Sequence, residues 1–198
     1  MTPANLILAS ASPRRSDCLK KLGLDFTVCP ANICEALLPD ELAPESVVRL
    51  SRDKAAKIQE EYPEAIVIGG DTVVSMDDEV LGKPSDEKHA VEMLLCLSGQ
   101  THTVFSGLAV AMPSGEIVSD FSSTQVRFRT FGRKFAQSYV ATREPMDKAG
   151  AYGIQEFGMA LVEGISGDFY TVVGLPVPLL LDLFERCNLA YSFGPINQ

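Results

Sequence analysis

The run "SASPRRSD" (10–17) puts two guanidinium groups where a helix favours carboxylates. Ser12 reads as a hydroxyl N-cap, and Pro13 suits the first helical position. Arg14 and Arg15 then fall at the positive end of the helix dipole. An anion bound there would resolve the conflict, because backbone N–H groups point at it and arginine adds a bidentate, permanently charged contact. A solvated pair, or a salt bridge to Asp17, is the alternative. Lys54 is a second oddity. On a helical wheel Val47, Val48, Leu50, Ala55 and Ile58 form an apolar arc, and Lys54 falls inside it, about 20° from Val47. Arg49 and Arg52 lie on the opposite, solvated face. Lys54 either snorkels to water or presents its ammonium to a cleft that holds an anion. Asp71 interrupts "AIVIGG" and "VVSM", so a carboxylate is carried on a strand that should be buried. That is expensive unless the acid is paired or binds a cation. Capping a turn is the alternative for Asp71. Lys83 sits in the tight "GKP" turn (82–84). Basic clamps at 14, 15, 54 and 83 with carboxylates at 35 and 71 make the parts of a phosphate-handling metal site.

The composition allows local cations but no broad basic field. The 198 residues carry a formal net charge of −9, with a pI near 4.7, which argues against a nucleic-acid-binding surface. With 46% hydrophobic and 22% charged residues the chain can build a real core. No run reaches the length of a membrane span, and no secretory-signal pattern opens the sequence, so the expectation is a cytoplasmic protein without membrane or nucleic-acid partners. Five cysteines without Cys-x-x-Cys spacing fit a reduced chain. P-loop, dinucleotide-binding and Gly-x-Ser-x-Gly signatures are missing. His89 is expected on a helix surface, and His102 is read as structural.

The elements that must position these residues alternate. "LILAS" (6–10) predicts a buried strand, followed by the helix from Pro13 with Leu19 and Leu22 inward and a stop at Gly23. "FTVCP" predicts a second strand. A loop with Glu35 leads to a helix over about 45–60. "AIVIGGDTVVSM" (65–76) predicts a central strand. "SDEKHAVEMLLCLSG" (85–99) predicts a helix with Ala90, Met93, Leu94 and Leu97 inward. "TVFSGLAVAM" and "EIVSDFSSTQVRFRTF" predict a hairpin around Pro113-Ser114-Gly115. A helix over about 132–142, the loop "EPMDKAGAYGIQ", a strand-like "MALVEGI" and a helix from about 176 complete the chain. The expected class is α/β with a mixed sheet.

The motifs "LASASPRR", "GGDTVV", "LGKP", "LSGQTHTV", "EPMDKAGAYGIQ" and "GDFYTVVGLP", in order from Leu6 to Pro176, resemble the Maf family of nucleoside triphosphate pyrophosphatases. The resemblance implies a single Maf-like domain over 1–198. Its fold would be similar to the inosine triphosphate pyrophosphatases: a long twisted mixed β-sheet with flanking helices and two lobes around a deep cleft. It implies a cytoplasmic, commonly homodimeric hydrolase of nucleotide metabolism that releases pyrophosphate and uses magnesium or another divalent ion such as manganese. "DKAGAYGIQ" resembles the branch acting on dTTP, UTP and some modified pyrimidine triphosphates. The same reaction on 7-methyl-GTP or another purine triphosphate is one alternative. A nucleotide-binding regulator of septum formation is another. By resemblance Asp71 matches the catalytic proton acceptor, and Asp71 with Glu35 the metal site. Arg14, Thr72 and Gln155 match positions of substrate choice. Ser10, Arg15, Lys54, Lys83 and Lys148 match other substrate-binding positions. The chain departs from the family pattern at Gly70, Arg143, Glu156, Phe157 and Thr171.

Overall fold

A computed structural model describes residues 5–196. Its strands are β1 (Leu6–Leu8), β2 (Thr27–Val28), β3 (Ile66–Met76), β4 (Glu79–Leu81), β5 (Thr101–Ala111), β6 (Ile117–Phe128) and β7 (Val162–Ser166). The α-helices are α1 (Pro13–Lys21), α2 (Ala43–Glu61), α3 (Glu87–Leu97), α4 (Arg133–Val140), α5 (Phe169–Val173) and α6 (Val177–Arg186). The strands form one mixed sheet in the order β2-β1-β3-β5-β6-β7, with β4 paired to β3. β1 runs parallel to β2 and β3, whereas the β3–β4 and β6–β7 pairs are antiparallel. The expected mixed α/β sheet with flanking helices is therefore the architecture observed. None of the described helices is long and apolar enough to cross a membrane.

By contact density the chain divides into two compact units. The first takes the residues up to Asp71, Ser106–Ser122 and those from Gly174 onward; the second takes Thr72–Phe105 and Ser123–Val173. In the first, β1 aligns with β3 through Leu6↔Ile66, Ile7↔Val67 and Leu8↔Ile68, and all six side chains are buried. Burial on both faces explains why neither strand shows polar alternation. α2 buries Val47, Leu50, Lys54, Ala55 and Ile58 on one face, the helical spacing read from the sequence except at Val48, which is only half-buried. That face lies against bare backbone. A Cβ added at Gly69 would come within 2.1 Å of the Ser51 carbonyl oxygen, and one at Gly107 within 2.3 Å of the Val47 carbonyl oxygen. Only glycine admits so close an approach of helix to strand.

In the second unit, α3 starts at Asp86, whose carboxylate accepts the His89 N–H at 2.7 Å. The four side chains expected inward on α3, Ala90, Met93, Leu94 and Leu97, are buried with Val126, Phe128, Tyr152 and Leu161. Two segments differ from expectation. "MALVEGI" is not one strand: Phe157–Leu161 forms a 3-10 turn and only Val162–Ser166 pairs with β6. "EPMDKAG" is not irregular loop but two 3-10 turns, Glu144–Asp147 and Ala149–Ala151. Both belong to a chain compacted by side-chain acceptors that hydropathy does not report.

His102 is structural, as read. It is buried, stacks edge-on against Phe128 at 4.9 Å and shares a 2.8 Å hydrogen bond between Nε2 and the Tyr152 hydroxyl. Its Nδ1 finds no hydrogen-bond partner among the described residues. Burial pulls its pKa from 6.5 down to about 4. A folded-state pKa below the unfolded one means that the neutral ring stabilises the fold above pH 6.5. That contribution is lost as pH falls from about 6.5 towards about 4, amounting to about 3 kcal/mol when complete. Urea midpoints measured from pH 7 to pH 4 should fall in wild type and fall less in His102→Gln, which keeps a partner for Tyr152 but does not titrate. Parallel slopes in the two proteins would remove His102 as the cause.

Candidate active site

α1 begins as its sequence dictates: Ser12 is the N-cap, Pro13 follows, and the first turn holds no acidic residue. The helix then separates its two arginines. Arg14 is half-buried and Arg15 is buried. Arg15 Nε donates to the Gly174 carbonyl at 2.8 Å, and NH1 donates to Ser10 Oγ at 2.9 Å. The same Ser10 oxygen accepts the Ser12 N–H at 3.2 Å. Asp17 faces Lys20 at 4.0 Å. Burial lowers the pKa of Arg15, the negative charges of Asp71 and Glu35 oppose that shift, and Arg14 adds to it. The guanidinium thus lies in the field of both candidate carboxylates.

Lys54 resolves the second oddity. Its ammonium does not snorkel: it donates to Asp71 Oδ1 at 2.7 Å and reaches Glu35 Oε1 at 2.6 Å. Lys54 and Asp71 are both buried, while the Glu35 side chain is 50% exposed. The close seating of α2 on Gly69 sets this geometry, since Lys54 lies one turn beyond Ser51 and Asp71 two residues after Gly69. The structure therefore brings Ser10, Arg15, Glu35, Lys54 and Asp71 together in the first unit. The buried strand acid is paired, as its burial requires. Gly70 packs in the same place, where an added Cβ would lie 3.1 Å from Arg15 Nε.

The remaining candidates belong to the second unit. Thr72 follows Asp71 on β3 and is half-buried. Lys83 is exposed after β4. Lys148 donates to the Glu144 carbonyl and to Asp147 Oδ1, the latter at 2.7 Å. Gln155 is half-buried between the second and third 3-10 turns. Sequence reasoning assigned nothing to Tyr139 or Glu144, although both bond to this segment. The Glu144 in "EPMDKAG" was a visible signal only as an acid beside proline; its acceptor role needs the fold.

Glu35 and Asp71 offer two hard carboxylates within reach of one ammonium. Among the described residues no group of three or more His, Cys, Asp or Glu forms a ready-made cage. A two-carboxylate set suits magnesium, which binds through one or two carboxylates and completes its shell with substrate phosphate oxygens and water. Manganese accepts the same oxygen donors.

Residues 5–187 match the family model described as Maf-like protein. A dTTP/UTP pyrophosphatase of Aquifex aeolicus is 44% identical over 93% of this chain and 96% of its own. One of Dictyoglomus thermophilum is 46% identical over 94% and 97%, and one of Clostridioides difficile 42% identical over 95% and 99%. The solved nucleoside-triphosphatase, a dITP/XTP pyrophosphatase, from Mycobacterium abscessus overlaps 92% of this chain and 93% of its own at 14% identity, with a TM-score of 0.45.

Proposed function

Since the chain belongs to the Maf-like family, we propose that it hydrolyses dTTP and UTP, and modified pyrimidine triphosphates with the same base edge, to the monophosphate and pyrophosphate. The observation that carries this reading is the Lys54 ammonium bridging Asp71 and Glu35 within a chain whose named relatives are dTTP/UTP pyrophosphatases over nearly their whole length. The family match runs through both units, which supports one catalytic domain over 1–198. The protein acts in the cytoplasm as a homodimer, clearing unwanted triphosphates from the nucleotide pool.

In the proposed reaction, water attacks the α-phosphorus in line with the departing group. As the new P–O bond forms, Asp71 takes the proton that water loses. The bond from that phosphorus to the bridging oxygen breaks, and pyrophosphate leaves with the electron pair. Lys54 orients Asp71 and Glu35 toward one point. Arg14, Arg15, Lys83 and Lys148 offset the negative charge of the triphosphate and of the leaving group, where fixed cations act most strongly. Ser10 and Thr72 add hydroxyl donors. Magnesium or manganese, held by Asp71 and Glu35, would polarise the phosphate oxygens as a Lewis acid. The Gln155 amide both donates and accepts, which complements the carbonyl and N3–H edge shared by uracil and thymine.

Product analysis with dTTP, UTP, CTP, GTP and 7-methyl-GTP tests the reading. The expected result is one pyrophosphate per dTTP or UTP consumed, with the two preferred over the other three. Orthophosphate as the first product, or a preference for GTP or 7-methyl-GTP, would overturn it.

A further inference from the structure

Resting on the reading that Gln155 recognises the pyrimidine base, we infer that Tyr139 and Glu144 are positioning residues that set base choice by pinning the backbone on both sides of Gln155. Three N–H groups of residues 153–158 end on this pair. Gly153 N–H donates to the Tyr139 hydroxyl at 3.1 Å. Phe157 N–H donates to Glu144 Oε2 at 2.8 Å, and Gly158 N–H to Glu144 Oε1 at 3.2 Å. Tyr139 in turn donates to Glu144 Oε1 at 2.9 Å. Gln155 lies midway between the anchored positions. The backbone of Glu144 also accepts from the Lys148 ammonium, so one residue holds two of the candidate substrate contacts in place.

The chemistry of the pair is specific. Glu144 receives three donors on two oxygens, so a carboxylate fits and an amide, with an NH2 at one end, faces a donor with a donor. Tyr139 must be a hydroxyl to donate to Glu144 while accepting from Gly153. Burial raises its pKa and the neighbouring Glu144 charge raises it further, while the Gly153 hydrogen bond opposes the shift. The phenol is therefore protonated at neutral pH. Discrimination between bases depends on polar groups held in register, because a mismatched buried donor or acceptor is what rejects the wrong base. Without the pair, the Gln155 segment keeps its sequence but loses its fixed placement.

The test compares wild type, Tyr139→Phe, Glu144→Gln and Gln155→Ala. Hydrogen exchange of peptides covering 153–158 is measured with the ratio of kcat/KM for UTP over GTP. The ratio is unaffected by the fraction of misfolded protein. The expected result is faster exchange confined to 153–158 in Tyr139→Phe and Glu144→Gln, with the ratio lowered about tenfold in both and in Gln155→Ala. Tyr139→Phe removes one oxygen, so it carries the test if Glu144→Gln does not fold. Unchanged exchange, or faster exchange with the wild-type ratio, overturns the inference while Gln155→Ala still moves. A wild-type ratio in Gln155→Ala instead overturns the base reading itself, and with it the route by which the pair would set base choice.

Discussion

Asp71→Asn lowers the rate of pyrophosphate release about 100- to 10,000-fold, the range that a positioned proton acceptor contributes. Asparagine is the informative replacement. It fills the same space, and its amide oxygen still accepts from Lys54, which keeps its second partner Glu35 at 2.6 Å. The buried ammonium is never left alone, so folding survives and the loss lies in chemistry. With magnesium in large excess, so that the weaker ligand at position 71 does not limit metal occupancy, KM for UTP should change little beside kcat, since the missing capacity acts on the proton of the attacking water. Steady-state kinetics with an unfolding curve on the same sample separate the two. A rate within tenfold of wild type would remove Asp71 as the base.

Lys54→Met has the largest expected effect on stability, a loss of about 3–5 kcal/mol. Methionine suits the apolar arc in size and hydropathy, so packing alone predicts a small change. The loss comes from the two carboxylates. Asp71 Oδ1 loses its 2.7 Å donor in a buried setting, and Glu35 is left near a like charge. Adding Asp71→Asn to Lys54→Met should recover stability, because the second change removes the unpaired buried charge that the first creates. The coupling between the two should reach about 1–3 kcal/mol by urea unfolding. Strictly additive effects would show that the contact carries no energy of its own. Activity falls in the single variant as well, since Lys54 orients both acids.

Much of the first-unit cluster was legible because Arg15, Lys54 and Asp71 each violate a local rule, whereas Ser10 and Glu35 violate none. Lys54 sits in an apolar arc, and Asp71 breaks a β-branched strand. Each violation predicted a partner, and the two proved to be partners of each other. Arg14 and Arg15 looked equivalent from sequence, because position in a first turn does not say which side faces inward; only the fold buries Arg15 and leaves Arg14 half-exposed. The central strand followed from its near-continuous β-branched run, and the inward face of α3 and the α2 stripe from periodicity. The three residues of β4 did not, since a strand so short has no period to detect. The 3-10 turns over 144–161 were illegible for a different reason. The last of them begins on backbone N–H groups that Glu144 accepts, and Gly153 just before it donates to Tyr139, tertiary contacts that no local pattern records.

The Arg15–Gly174 bond spans 159 positions of chain. A ribosome makes the guanidinium early and its acceptor late. A nascent polypeptide therefore carries a cation destined for the interior long before the carbonyl that satisfies it exists. β1, α1, α2 and Asp71 can emerge and begin to associate, but the corner where Arg15 lies cannot be finished until residue 174 has been synthesised. The order of translation thus sets the earliest moment at which this contact can close, whatever order the rest of the sheet adopts.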